Sequence, residues 1–152
     1  MNKYILEQVS PDSKEAFELT NKLFFELDAH YPKSALENFV EENSLMNVFI
    51  VAFSESGQAV ATGALKHYDI GTIEVKRMFV LKEFRGQGLS KRILLELERI
   101  AGEMNYKRII LETGGKQPEA LGLYRKYRYK EIKCYGRHAN DPTSICFEKF
   151  IE

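Results

Sequence analysis

Two glycines lie two positions apart in a short polar segment, Arg85-Gly86-Gln87-Gly88-Leu89-Ser90. The apolar run before it predicts a strand over residues 72–81, and the residues after it repeat at the spacing of an amphipathic helix. The start of a helix offers unpaired backbone N–H groups and the positive end of the helix dipole, and glycine lets a phosphate reach that backbone. The segment therefore predicts a pyrophosphate cradle, with a turn that serves geometry alone as the alternative.

The glycine spacing excludes two familiar phosphate sites. The segment has no Gly-Lys-Ser/Thr ending, so it is not a P-loop. It also lacks the third glycine of a dinucleotide-binding fingerprint, and the strands before it form a meander rather than an N-terminal βαβ unit.

Length and charge restrict the function classes further. The 152 residues suit a single domain, 1–152, with 22 Lys and Arg against 22 Asp and Glu and a formal net charge of 0. That balance removes the main electrostatic reason to expect a nucleic-acid partner. The sequence shows no apolar core of a signal peptide and no stretch long enough to span a bilayer, so we expect a cytoplasmic protein that does not enter a membrane.

The two cysteines, Cys134 and Cys146, do not form a Cys-x-x-Cys pair. One pair cannot build a disulfide framework, and both residues sit among apolar or aromatic neighbours. The sequence therefore predicts two small buried thiols.

The hydrophobic periodicity changes along the chain and predicts the elements that position the glycine segment. Predicted strands cover residues 4–9, 48–53, 59–67, 72–81, 108–112, 129–134 and 143–150. Predicted helices follow Ser10-Pro11-Asp12-Ser13, then cover 34–42 and 89–104, and begin again at Pro118. Consecutive strands followed by alternating helices and strands predict the α/β class, with a mixed sheet of about six to seven strands and helices on both faces.

Residues 74–129 resemble the GCN5-related N-acetyltransferase (GNAT) family. Its motif, Arg/Gln-x-x-Gly-x-Gly/Ala, is matched by Arg85 and Gly88, and Ser90 stands where Gly or Ala is usual. The segment Ala120-Leu121-Gly122-Leu123-Tyr124 matches the family's Ala-x-x-Leu-Tyr, whereas Arg128-Tyr129 replaces the Gly-Tyr/Phe that usually follows. The resemblance covers the C-terminal two-thirds of the chain, and the order of elements along the whole chain agrees with the GNAT fold.

The resemblance implies that acetyl-CoA is the cosubstrate and that no metal takes part. Members of the family bind acetyl-CoA in a V between two splayed parallel strands, which here are 72–81 and 108–112. The pantetheine arm is expected to pair with the backbone of Met78, Phe79 and Val80. The pyrophosphate is expected on the backbone N–H groups of Arg85, Gly86, Gln87, Gly88, Leu89 and Ser90. Arg85, Lys91 and Arg92 could add positive charge near the phosphates, although an exposed helix face explains at least one of Lys91 and Arg92.

The implied reaction transfers an acetyl group to an amine, whose pKa of about 10 requires that its proton be removed first. Glu74, which lies on the strand before the glycine segment, is the first candidate for this base, acting through water as in some relatives. Glu112 is its rival, and His67 and His30 are weaker candidates. The Ala-x-x-Leu-Tyr match makes Tyr124 the expected acid for the CoA thiolate, with a core aromatic residue as the alternative.

Strand alternation bears on where the reacting atoms lie. It places Glu74, Lys76 and Met78 on one face of their strand, unless a bulge intervenes. A free N–H near Met78 or Phe79 could stabilise the oxyanion, because a splayed strand leaves donors unpaired.

The resemblance places the acceptor between two loops, His30 to Pro32 and Tyr135 to Asp141. In the second loop Arg137 and His138 could meet a carboxylate and Asp141 an ammonium, although a polar surface loop explains them equally well. We expect the primary amine of a small molecule or an amino-acid-like acceptor. A peptide or protein amine is the alternative within the enzyme class, and an acetyl-CoA sensor without turnover is the alternative outside it. The sequence leaves a homodimer open.

Overall fold

A computed structural model describes residues 3–30, 42–115 and 117–151 of the chain. Its strands are β1 (Ile5–Gln8), β2 (Val48–Phe53), β3 (Ala59–Asp69), β4 (Thr72–Val80), β5 (Arg108–Gly114), β6 (Lys130–Ile132) and β7 (Ser144–Phe150). Its helices are α1 (Lys14–His30), α2 (Leu89–Glu103) and α3 (Pro118–Lys126). No helix within these ranges is long and apolar enough to cross a membrane. The helix predicted over 34–42 falls, apart from Glu42, outside the described residues.

The strands form one mixed sheet in the order β1-β2-β3-β4-β5-β7-β6. Strands β4 and β5 run parallel, and the other neighbouring pairs are antiparallel. Strand β7 lies between β5 and β6, so the last strand in the sequence occupies the interior of the sheet. This architecture confirms the predicted α/β class and the mixed sheet. Strand β6 is shorter than the predicted 129–134, because its ladder with β7 ends at the pair Ile132–Cys146.

The helices cover both faces of the sheet, as predicted. On one face α1 packs on β4, where the Arg77 guanidinium lies 5.3 Å from the centre of the Phe24 ring. On the opposite face, side chains of α2 cover Gly63 of β3. Helix α3 lies beside α2, with Lys91 Nζ 6.0 Å from the centre of the Tyr127 ring.

A β-bulge interrupts the pairing of β3 with β4. The register shifts between Thr62 and Ala64 of β3, and opposite them Arg77 adopts a left-handed φ of 60°. A Cβ added to Gly63, at the same level, would lie 2.5 Å from Ile93 Cγ2. Glycine is therefore required under α2 at this point of the sheet.

The bulge decides which side chains of β4 share a face. Glu74 and Lys76 pair with alternate residues of β3, and Phe79 returns to the same alternation beyond the bulge. The Met78 side chain instead lies over Gly63, on the face that α2 covers. The alternation predicted for an unbroken strand therefore does not hold for Met78.

Cys134 and Cys146 form a disulfide, which corrects the prediction of two thiols. The ladder between β6 and β7 ends at Ile132 and Cys146, and it brings the two cysteine Cα atoms to 5.1 Å, a separation that disulfides require. Cys146 is fully buried and Cys134 is half-buried. The prediction was wrong because the two residues, 12 positions apart, meet only through the pairing of the last two strands.

Candidate active site

The two parallel strands separate halfway along their length. The ladder between β4 and β5 runs from the pair Thr72–Arg108 to the pair Val75–Leu111. Beyond that point β4 continues beside β3 and β5 continues beside β7. Between the diverging ends lies a cleft of about 570 Å³. Over residues 76–80 the side of β4 that faces β5 has no partner strand within the described part of the chain.

The glycine loop closes one end of this cleft. Gly86 and Gly88 have φ angles of 78° and 79°, a left-handed conformation that glycine adopts without a steric penalty. Gly88 is also the N-cap of α2 and has no side chain to bond the first N–H groups of that helix. Leu89, Ser90 and Lys91 follow it and line the cleft. Unpaired N–H groups and the helix dipole are therefore directed at the cleft, as anion sites at helix starts require.

Arg85 supports the loop and itself lines the cleft. Its Nε donates to the Val80 carbonyl at 2.9 Å, and its Nη2 lies 2.6 Å from Glu26 Oε1 of α1. The guanidinium also lies 5.7 Å from the centre of the Phe79 ring. These contacts fix the turn between β4 and α2 against α1.

The other candidate phosphate contacts divide between the cleft and Tyr4, which immediately precedes β1. Lys91 lines the cleft. Arg92 turns away and donates from both terminal nitrogens to the Tyr4 carbonyl at 3.3 Å. The Gln87 side chain accepts a hydrogen bond from the Tyr4 hydroxyl at 2.6 Å and is not among the residues that line the cleft. A role for the Gln87 backbone stays a prediction.

Glu112 is a buried carboxylic acid at the other end of the cleft. It lines the cleft, and only 6% of its side chain is exposed. The Ser144 hydroxyl donates to Oε2 at 2.7 Å, and His138 Nδ1 lies 4.0 Å from the same oxygen. Burial raises the pKa of Glu112 to about 7. The hydrogen bond from Ser144 and the charge of Lys76 favour the ionised form and oppose this rise, but burial has the larger effect.

Glu74 lies on the same face of the sheet but has other partners. The Tyr135 hydroxyl donates to its Oε2 at 2.7 Å, and Lys76 Nζ lies 3.8 Å from its Oε1. Glu74 is buried and is not among the residues that line the cleft. Burial, followed by the charge of Glu74 and its hydrogen bond, raises the pKa of Tyr135. The tyrosine therefore stays a donor to this carboxylate.

Tyr124 is buried between two aromatic rings and still reaches the cleft. Its ring centre lies 5.7 Å from that of Tyr129 and 5.9 Å from that of Phe147, and it is among the residues that line the cleft. Burial and the charge of Glu112 raise the pKa of Tyr124, so its hydroxyl keeps its proton.

The end of α3 keeps its shape without the usual glycine. Arg128 takes a φ of 70°, and its N–H donates to the Arg125 carbonyl while the Tyr129 N–H donates to the Tyr124 carbonyl. These are the two hydrogen bonds of a Schellman motif. The departure from the family motif at Arg128 is therefore accommodated by the backbone.

The remaining candidates lie elsewhere or have local partners. A ring nitrogen of His67 lies 2.6 Å from the Tyr106 hydroxyl, and His67 does not line the cleft. Asp141 accepts from the Thr143 hydroxyl and N–H. The His30 side chain, Tyr31 and Pro32 lie outside the described residues. Sequence reasoning did not single out Ser144, whose position opposite Gly114 depends on the register of β7.

A family model described as the acetyltransferase (GNAT) family matches residues 13–128. The matched residues make up more than half of the chain and include the splayed strands, the glycine loop and α3. The chain belongs to the acetyltransferase (GNAT) family.

Known proteins resemble the chain in sequence and in fold. It is 36% identical over 102 residues to the IAA acetyltransferase of Azospirillum brasilense, and the match spans 66% of this chain and 66% of that protein. The fold is similar to that of a Klebsiella pneumoniae protein assigned to the acyl-CoA N-acyltransferases, with a TM-score of 0.81, 26% identity and 97% of both chains covered. It is also similar to the PaiA N-acetyltransferase of Thermoplasma acidophilum in complex with coenzyme A, with a TM-score of 0.75, 17% identity, and 99% and 100% of the two chains covered.

Proposed function

We propose that this protein is an acetyl-CoA-dependent N-acetyltransferase for a primary amine of a small molecule, and that residues 1–152 form one such domain. The cleft carries the proposal, because it joins a helix N-terminus at one end to buried Glu112 and Tyr124 at the other. Membership of the GNAT family supports the same reaction.

The cleft suits an extended thioester with phosphates at one end. Backbone N–H groups of the glycine loop hold the pyrophosphate, because Gly86, Gly88, Leu89 and Ser90 line the cleft and the start of α2 carries the positive end of the dipole. The free side of β4 at Met78, Phe79 and Val80 pairs with the amides of the pantetheine arm, in the manner of an added strand. The acetyl carbonyl then lies beside the bulge, where the N–H of Met78 stabilises the oxyanion, since the pairing of Phe79 with Thr62 turns the Phe79 N–H towards β3.

Glu112 is the base that this geometry favours over Glu74. A general base is most effective when its pKa is near the working pH, and burial raises the pKa of Glu112 to about 7. Glu112 lines the cleft, whereas Glu74 does not and is bound by Tyr135 and Lys76. Glu112 therefore takes the proton of the amine, directly or through one water. Glu74 holds the Lys76 ammonium and the Tyr135 hydroxyl in place beside it.

Tyr124 supplies the proton at the other side of the reaction. The nitrogen of the amine forms a bond to the acetyl carbon, and the carbon–sulfur bond then breaks with its electron pair on sulfur. The Tyr124 hydroxyl lies in a buried setting that keeps it protonated. It donates a hydrogen bond to the departing thiolate, whose pKa near 8.5 is that of an ordinary thiol, and as its proton moves to sulfur Tyr124 regains a proton from the amine nitrogen that becomes the amide.

A small amine agrees with the charges around the acceptor side. Glu74 and Glu112 attract a cation, and Lys76 between them limits the net negative charge. The chain has a net charge of 0, which gives little attraction for a strongly polybasic protein. The relative named IAA acetyltransferase also supports a small acceptor.

The test is direct detection of N-acetylated product. The purified protein is incubated with acetyl-CoA and separate pools of amino acids, monoamines, polyamines and lysine-containing peptides, and products are identified by mass. We expect acetylation of one small-molecule pool with release of one CoA thiol per product. Acetylation of peptides alone would replace the small acceptor by a protein amine. Binding of acetyl-CoA without any product would support a sensor and refute the enzyme.

A further inference from the structure

The disulfide lies where the hydrogen-bonded ladder of the last hairpin stops. Strand β6 pairs with β7 as far as Ile132 and Cys146. The chain from 133 to 143 then leaves the sheet, and the Cys134–Cys146 bond ties its first residues to β7. Cys146 is fully buried, whereas Cys134 is half-buried.

Each cysteine is a close neighbour of a residue that holds one of the two carboxylates. Tyr135 follows Cys134 directly and donates to Glu74 at 2.7 Å. Ser144 stands two positions before Cys146, on the same face of β7, and donates to Glu112 at 2.7 Å. One covalent bond therefore joins the two segments that orient the charges of the acceptor side.

We infer that Cys134 and Cys146 are positioning residues for the acetyl transfer, and that reduction of their disulfide weakens use of the acceptor amine while leaving acetyl-CoA binding intact. The inference rests on the proposed function, because it concerns the acceptor side of the same cleft.

Reduction acts on Tyr135 more strongly than on Ser144. Ser144 lies in β7, which stays paired to β5 through the Glu112–Cys146 and Gly114–Ser144 pairs. Tyr135 has no ladder beside it and is held by its hydrogen bond and by ring contacts with Tyr68 at 5.3 Å and His138 at 5.9 Å. Loss of the cross-link enlarges the set of positions open to its loop.

The acetyl-CoA side does not depend on this loop. The glycine segment is fixed by the contacts of Arg85 with Glu26 and Val80, and by the contact of Gln87 with Tyr4. These partners lie on α1, β4 and the segment before β1. Binding of acetyl-CoA is therefore expected to persist when the disulfide opens.

Opening the disulfide requires a reductant, which here is a dithiol. Its thiolate attacks the Cys134 sulfur, the disulfide breaks, and the Cys146 sulfur leaves with the electron pair and takes a proton. The second thiol of the reagent then displaces Cys134 from the mixed disulfide. The protein gains two electrons and two protons, and the reagent leaves as its own cyclic disulfide.

The experiment compares oxidised protein with protein reduced by dithiothreitol and desalted without oxygen, with the redox state checked by the mass of alkylated cysteines. It measures kcat and KM for the best amine of the panel above, the Kd of acetyl-CoA by calorimetry, and amide hydrogen exchange over 133–143. Cys134→Ser provides a protein without the bond. Tyr135→Phe removes the hydroxyl through which the bond is argued to act.

Reduction should raise the KM of the amine about three- to tenfold, the range expected for loss of one hydrogen bond, and leave the Kd of acetyl-CoA unchanged. Cys134→Ser should show the same raised KM as the reduced protein, and dithiothreitol should not change it further. In Tyr135→Phe, reduction should add little to an already raised KM, because the shared contact is gone.

Where an amine of the panel is acetylated, either of two results would overturn the inference. An unchanged KM in fully reduced protein would show that the disulfide does not position the acceptor side. Equal losses of acceptor use and acetyl-CoA affinity would show a purely structural bond. If no amine in the panel is acetylated, the proposed function fails on its own, and hydrogen exchange still decides the inference: exchange over 133–143 that does not rise on reduction refutes it.

Discussion

Because Glu112 is a buried acid, one substitution at this position is predicted to change both the stability and the activity of the protein. In Glu112→Gln the side chain keeps its size and can still accept the hydrogen bond from Ser144, but it cannot ionise. Wild type must ionise this group inside the protein, where burial raises its pKa from the ordinary 4.5 to about 7. The variant should therefore be the more stable protein at alkaline pH and the less active enzyme.

The size and sign follow from proton linkage. Between pH 4.5 and about 7 the folded protein holds a proton that the unfolded chain has lost, so wild type loses stability relative to the variant as pH rises through this window. The difference between the two pKa values corresponds to about 3 kcal/mol at pH 8, at about 1.4 kcal/mol for each factor of ten. For a domain of this size that is a Tm difference of up to about 6–12 °C, shrinking to nothing below pH 4.5.

The assay is a set of urea or thermal unfolding curves from pH 4.5 to 8.5 for wild type and Glu112→Gln, with Glu55→Gln in the exposed β2–β3 turn as the matched control. In parallel, kcat/KM for the amine should lose its inflection near pH 7 in Glu112→Gln and keep it in Glu74→Gln. The reasoning is refuted if the stabilities of wild type and Glu112→Gln stay parallel across the pH range. A limb that disappears in Glu74→Gln instead would make Glu74 the base.

Three further substitutions test the rest of the site. Gly88→Asp places a carboxylate at the helix start and should abolish the rise in Tm that acetyl-CoA causes, whereas Gly57→Asp, at a turn glycine with a similar φ of 85°, should keep it. Tyr124→Phe should leave the Kd of acetyl-CoA unchanged in calorimetry and lower kcat by about 100- to 10,000-fold; an unchanged kcat with chemistry rate-limiting would make Tyr124 a core aromatic only. Gly63→Ala should cost about 1–3 kcal/mol in urea unfolding through overpacking against α2, whereas Gly122→Ala, with open space around its Cβ, should not destabilise.

The sequence predicted the parts of the fold that local chemistry determines. Ser13 caps α1 through the Ala16 N–H, as a serine before an apolar periodic segment suggests. The glycine loop lies between β4 and α2 because the left-handed conformations at Gly86 and Gly88 favour glycine at those positions. Parallel β4 and β5 separate as the family resemblance implied.

The features that the sequence did not predict depend on contacts between residues that are far apart in the sequence. Arg77 adopts a left-handed φ at the bulge, and arginine is not a residue type that predicts this conformation. The bulge turns the Met78 side chain to the face of the sheet that α2 covers. The partners of the carboxylates, Tyr135 for Glu74 and Ser144 for Glu112, are set by the register of the last hairpin. The same register formed the disulfide, which the spacing of the cysteines alone does not predict.

The position of β7 between β5 and β6 has a consequence for the order in which the protein assembles. The first four strands pair in chain order, and the contacts that fix the glycine segment, Arg85–Glu26 and Gln87–Tyr4, lie on segments that precede β5. The two hydrogen bonds to the carboxylates join residues 61 and 32 positions apart and need β7 and the loop before it. The acceptor side therefore needs the last strand of the chain in its place, which the acetyl-CoA side does not, and we expect it to be completed last. In a refolding experiment, acetyl-CoA binding should return before catalysis, and the interval between them reports the insertion of β7.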